Sequence, residues 1–179
     1  MIRRYKNFVP VLPESTILFE NTSVCGNVTF GERVSVFPGA VIRGEDIAVT
    51  IGEGTNIQDN CVIHIRGKAG ENPHETHIGK NVSIGHGAII HGATVGDNST
   101  IGMGAILQDG AIVGKDCLIG GGSVVTGKTR VPDGHLAFGF PAKVVRPLTE
   151  AEIEDIRSSS VHYRDMAEEY MRAEQEDKK

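Results

Sequence analysis

The sequence predicts a parallel β-helix, a rod of short strands wound into triangular coils, and three observations carry that expectation. An apolar residue recurs every six positions, glycine and turn residues fill the intervals, and aromatic residues are scarce. The recurrence runs through Leu12, Leu18, Val24, Phe30, Val36 and Ile42, then resumes at Ile51, Ile57 and Ile63. It resumes again at Ile78, Ile84 and Ile90, slips by one position to Val95, and continues through Ile101, Leu107, Val113, Ile119 and Val125. Gly makes up 23 of the 179 residues while aromatics reach only 5% and Trp is absent, a balance suited to many tight turns around an aliphatic core.

A period of six matches neither a helix, with spacings of three and four, nor a single alternating strand. It matches short strands separated by turns. The apolar residue points inward, and so does the small or β-branched residue four positions later, as at Val28, Val34, Ala40, Val82, Ala88, Ala105 and Ala111. Gly directly after the apolar residue, as at Gly52, Gly79 and Gly85, serves backbone geometry and close approach. Three such strands close a coil, and stacked coils bury a continuous core. The eighteen apolar positions named above, at three per coil, make six coils within residues 1–130.

Two insertions interrupt the register. Residues 43–50 gain three positions, and 66–77 form a longer excursion rich in turn residues (Gly67, Gly70, Asn72, Pro73), which reads as an exposed loop. After Val125 the pattern fades into a connector over 131–148 containing Pro132, Pro141 and Pro147. Thr149 and Glu152 then have the spacing of a capping box. Ile153, Ile156, Tyr163, Ala167, Tyr170 and Met171 follow at helical spacing. Residues 149–179 are therefore expected as a C-terminal helix packed on the β-helix, with the last few residues frayed.

Charge and composition narrow the function. A net charge of −5 does not suit a nucleic-acid surface, which needs a basic stripe. No apolar run approaches the roughly 20 residues of a spanning helix, and MIRRYKNFVPVLPES lacks the apolar core of a signal peptide. Cys25, Cys61 and Cys117 are too far apart for a disulfide framework or a zinc ribbon. Cys61 and Cys117 fall on inward positions as small apolar residues. The expectation is a cytoplasmic protein without nucleic-acid or membrane partners.

The histidines are the candidates for chemistry. Every third strand shares a face, so the strands beginning at Ile63 and Ile90 are one coil apart on the same face. His64 and His91, each directly after the apolar residue, become stacked neighbours about 4.8 Å apart, close enough for both imidazoles to reach one metal at about 2.0–2.1 Å. Arg43 lies on the next rung of that column and Gln108 on the rung beyond His91. His86 sits one position further along its strand and on another face, with Asp59 as its rung neighbour. A triangular rod does not readily aim a side chain from one face at a metal held on another, whereas a neighbouring rod in a three-fold assembly does. The spacing thus points to a site shared between subunits of a homotrimer. His74, His77, His135 and His162 lie in the loop, the connector and the helix, and are read as ordinary surface.

The [LIV]-G-x-x-[STAV]-x pattern over residues 12–130 resembles the hexapeptide-repeat superfamily, which implies a left-handed coil; the general crossover rule alone gives a right-handed one. Within it, IRGEDIAVTIGEGTNIQDNCVIH and IGHGAIIHG resemble the γ-class carbonic anhydrases and their carbonic anhydrase-like relatives. That resemblance implies His64, His86 and His91 as ligands of Zn²⁺, or of Fe²⁺ or Co²⁺. It implies active-site roles for Arg43, Glu45, Asn56, Gln58, Asp59 and Tyr163, the last brought near by the terminal helix. The implied activity is reversible hydration of CO₂ to bicarbonate, because three neutral histidines leave an open position where zinc lowers the pKa of water to about 7. Gln58 would orient reactant or product, Arg43 would pair with an acid at the interface, and Asp59 would hold an imidazole or an interface Arg.

Two departures stand out. The family's usual Arg-Gly-Asp reads Arg43-Gly44-Glu45 here, with Asp46 next. The 66–77 loop is short and offers only Glu71, His74 and Glu75 in place of an acidic proton-shuttle loop, which implies slow turnover. Gly139-Phe140-Pro141-Ala142-Lys143 resembles the segment after the coils in hexapeptide acyltransferases. An acyl-CoA transferase or thioesterase is therefore the second expectation, and a non-enzymatic trimeric scaffold with a structural metal the third. Metal content separates the first from the second; the effect of site mutations on catalysis separates the first from the third.

Overall fold

A six-residue period leaves room for little extended chain between turns, and most strands are only two or three residues long. The structure, a computed structural model, describes residues 1–67 and 74–176. Its strands stack into parallel sheets that form the faces of a left-handed solenoid of about seven turns. One face carries seven strands, among them Val41–Arg43, Val62–His64, Ile89–His91 and Ile106–Leu107. A second has six, from Val28–Phe30 to Arg130–Val131. The third has eight and includes Asn56–Ile57 and Ser83–Ile84.

The apolar positions keep register from coil to coil. Ile42 pairs with Ile63 and Ile63 with Ile90, while Ile57 pairs with Ile84 on the third face. These isoleucines are fully buried, as are Ala40, Cys61, Ala88 and Cys117 at the position four residues on. Burial pushes the Cys61 thiol up to about 11, so it remains a small inert core residue.

The glycines divide the labour differently from the expectation. A Cβ at Gly52 would lie 2.5 Å from the carbonyl carbon of Gly79 on the next coil, so this position serves close approach alone. The left-handed backbone falls two residues later, at Gly54 and at the equivalent Asn60, Asn81 and Asn98. Asparagine tolerates that region better than other residues with a Cβ. Here its side chains also form a ladder, Asn81 Nδ2 donating to Asn98 Oδ1 at 3.4 Å and Asn98 Nδ2 to Asp116 Oδ1 at 3.2 Å.

Both ends of the rod differ from the sequence reading. Leu12 does not begin a strand: Val11 makes a single bridge to Thr29, and Leu12 is a partly buried residue against the core. The expected connector over 131–148 is largely strand. Arg130–Val131 adds another rung, and His135–Gly139 pairs antiparallel with Ala142–Pro147. The prolines do not prevent this, because Pro141 lies in the turn between these strands and Pro147 ends the second. Ala137 and Ala142 are buried and continue the core.

The helix spans Glu150–Glu176. Its capping box forms as expected: the Glu152 amide donates to Thr149 Oγ1 at 3.3 Å, and the Thr149 amide donates to Glu152 Oε2 at 2.8 Å. The helix lies along the third face and buries Ile156, Ser160 and Ala167. Arg157 to Asp116 (2.8 Å) and Arg33 to Glu168 (2.7 Å) tie it to the coils. Among the described residues no helix is long and apolar enough to cross a membrane.

Candidate metal centre

The pairing of Val62–His64 with Ile89–His91 sets His91 directly against His64. Their rings lie 5.1 Å apart between centroids, with His64 Nδ1 3.2 Å from His91 Nε2. The His91 ring and the His64 backbone are held from outside the pair. Asp109, just past the next strand of the same face, binds His91 Nδ1 through its carboxylate and leaves Nε2 facing His64. Thr76 bridges the two histidine strands, its hydroxyl donating to the His64 carbonyl and accepting from the Gly92 amide at 3.0 Å.

His64 Nε2 is buried and has no hydrogen-bond partner. A buried ring nitrogen without a partner is unusual, and it leaves His64 with a nitrogen available to a ligand. Burial first, and then the Arg43 charge, push the His64 pKa down, which favours the neutral imidazole that ligates metal. Arg43 forms an ion pair with Glu45, and Glu45 Oε1 lies 3.6 Å from His64 Nε2. The longer side chain at this position therefore still meets the arginine. Asp46 instead binds Lys6 at 2.7 Å.

His86 stands apart, beyond Ser83–Ile84 on the third face. Asp59 holds its Nδ1 at 2.8 Å, and Tyr163 from the helix places its hydroxyl 3.4 Å from Nε2. Below it a buried chain of amides fixes the backbone. Gln58 Oε1 accepts from the His86 amide at 3.2 Å, Gln58 Nε2 donates to Asn56 Oδ1 at 3.2 Å, and Asn56 Nδ2 donates to Ser83 Oγ at 2.9 Å.

The structure thus gathers the candidate residues into two groups on different faces: Arg43, Glu45, His64 and His91 in one, Asn56, Gln58, Asp59, His86 and Tyr163 in the other. Among the described residues no three metal-ligating side chains converge within one chain. Asp109 and Thr76 were not singled out from the sequence. Asp109 follows Gln108 at the end of the histidine column, and a carboxylate one coil from a histidine is the signal that marks it. Of the loop candidates, Glu71 lies outside the described residues. His74 pairs its backbone with Arg66, and Glu75 is exposed. His77 Nδ1 meets Thr50 Oγ1 at 2.6 Å, and His135 Nδ1 meets the Asp133 carbonyl at 2.8 Å.

Comparison with known proteins supplies the context. The family described as bacterial transferase hexapeptide (six repeats) matches residues 75–108 and 92–127. Gamma carbonic anhydrase 1, mitochondrial, of Arabidopsis thaliana is 40% identical over 89% of this chain and 58% of its own length, so the chain spans little more than half of that relative. Protein YrdA of Escherichia coli is 37% identical over 96% of this chain and 94% of its own. A crystal structure of a hexapeptide transferase family protein from Anaplasma phagocytophilum superposes with a TM-score of 0.88 at 35% identity, covering 94% of this chain and 97% of the other.

Proposed function

Because the chain belongs to the γ-carbonic anhydrase-like family of hexapeptide-repeat proteins, we propose that it is a metal-dependent lyase hydrating CO₂ reversibly at sites between the subunits of a homotrimer. The observation that carries this is the paired arrangement of His64 and His91, with the buried, unpartnered Nε2 of His64 beside it, while His86 presents its Nε2 on a different face. Two ligands from one chain and His86 of the partner subunit make a three-histidine set, and a closed trimer repeats it. The face that would meet the partner is partly apolar. Val41 and Val62, each 39% exposed, stand beside the Arg43 and His64 column with partly exposed Ile89 and Ile106.

Zn²⁺, or Fe²⁺ or Co²⁺, held by these three imidazoles supplies a Lewis acid that lowers the pKa of water. The chain's own groups do the rest. Asp109 and Asp59 keep the proton on Nδ1 of His91 and His86, so both rings offer Nε2 in a fixed orientation. The Ser83–Asn56–Gln58 chain locks the Gln58 amide beside His86, and its second N–H is free to hold an oxygen of CO₂ or bicarbonate. Glu45, paired with Arg43, sets its carboxylate 3.6 Å from His64 Nε2, on the side where reactant would enter. Tyr163 closes the His86 side.

The test is elemental analysis of protein purified without oxygen, wild type beside His91→Ala, with CO₂ hydration followed on the same samples. The expected result is about one metal per chain in wild type, with metal and hydration lost together in the variant. Metal without hydration would leave a structural site or another substrate. Metal in neither sample would overturn the proposal and favour an acyl-CoA transferase, a class in keeping with the transferase name of the Anaplasma relative.

A further inference from the structure

A cavity of about 460 Å³ opens between the third face and the helix, with His86 and Asp59 in its wall. Its size falls in the range of small-molecule pockets and exceeds the needs of a three-atom substrate. The walls are aromatic and ordered. Phe19 and Phe37, on successive rungs, stack 4.7 Å apart with planes 19° off parallel. Tyr170 meets Phe19 edge-on at 5.7 Å, and Tyr163 meets Phe37 edge-on at 5.8 Å. The slot is therefore apolar along its aromatic body, with polar groups at Glu20, at Asp59 and where Tyr163 approaches His86 Nε2. Among the described residues, the charged side chains lining it are the carboxylates of Glu20 and Asp59, with no Lys or Arg.

We propose that this slot binds the aryl-alkyl or branched acyl part of an uncharged carboxylic ester and places its carbonyl at His86, so that the same centre hydrolyses it. The stacked rings accept a flat or branched apolar group, the two carboxylates turn away anions, and the reactive end of the ligand lies where the metal ligand does. The inference rests on His86 belonging to the metal centre. In the reaction the oxygen of one water bonds to the acyl carbon and the C–O bond to the alcohol breaks. One proton leaves with the alcohol, and the other enters solvent as the product acid ionises.

The chain has no Trp, and Tyr163 and Tyr170 are two of its three tyrosines, so intrinsic fluorescence reports the slot directly. Titrating the metal-loaded protein with 3-phenylpropanamide, an uncharged and unreactive probe, is expected to change that fluorescence saturably. With 4-nitrophenyl esters, kcat/KM for the 3-phenylpropanoate should exceed that for the acetate by on the order of 10- to 100-fold. Both Phe37→Ala and Tyr170→Ala should reduce this ratio. Tyr170 is 54% exposed, so its variant keeps the test open if the buried Phe37→Ala chain misfolds. No saturable signal, equal kcat/KM for the two esters, or a ratio untouched by Tyr170→Ala would overturn the inference. Amide binding to a protein that carries no metal would sink the metal centre and leave the slot's occupant supported; metal without amide binding would do the reverse.

Discussion

At the level of single residues, the candidate centre depends on which ring nitrogen each neighbour occupies. Asp109 takes Nδ1 of His91 and Asp59 takes Nδ1 of His86. Removing the charge from such an outer partner typically weakens metal binding 10- to 100-fold. Asp109→Asn should therefore lose metal to a competing chelator at about that ratio while its melting temperature without metal stays near wild type. An unchanged chelator profile would show that Asp109 does not tune the ligand. The histidine column and the Asp59–His86 pair were legible in the sequence because a regular register fixes which residues share a rung. Asp109 was not singled out, although it lies one coil beyond His91, and Thr76 was hidden because the 66–77 insertion reads as loop, whereas Thr76 opens the strand Thr76–Ile78.

Individual elements show the same division. The helix start was readable to within one residue, since a capping box is a local arrangement: Thr149 and Glu152 need only each other. Arg146 joins them, its guanidinium 2.7 Å from Glu152, and with the Thr149 amide holds the Glu152 carboxyl down at about 2. A carboxylate lowered on folding stabilises the fold above its unfolded pKa, near 4.3, and loses that contribution as pH falls towards 2. The pair is exposed, so the effect is small. The melting-temperature advantage of wild type over Glu152→Gln should be constant from pH 7 to 5 and shrink between pH 4.5 and 2.5. Thr149→Ala should cost about 1 kcal/mol by loss of the cap. Among the coils, Gly52→Ala forces a methyl group against the Gly79 backbone and should destabilise by about 1–3 kcal/mol, read as a lower melting temperature. The hairpin over 135–147 was hidden because, although Val131 and Ala137 continue the six-residue period from Val125, the second strand runs antiparallel and keeps none. Pairing with Leu118–Ile119 and closing the core decide its shape.

For the whole molecule, the separation of His86 from His64 and His91 makes a prediction that no single subunit can satisfy. His86→Ala and His91→Ala chains should each bind metal poorly alone. Co-expressed and allowed to form mixed trimers, they should recover about a quarter of the sites, because each site then draws one intact half from each variant. A site lying within one chain would recover nothing. The parallel rod itself was legible almost throughout, since every coil repeats the same inward positions. The partner surface was legible only as an argument that one rod does not aim both groups at a single point.

The reversed strand at the C-terminal end has a consequence for assembly. A stack of like coils has no internal length: each coil offers the next the same backbone groups it received, and growth by a second rod on the last rung would continue the pattern indefinitely. Ala142–Pro147 runs antiparallel to the strand before it and occupies that growing edge on the third face, while Phe140–Pro141 turns the chain across it. Exposed edges of this kind are where sheets fuse. On that face the hairpin works as a terminator, denying a second rod the parallel rung on which a repetitive sequence would otherwise continue.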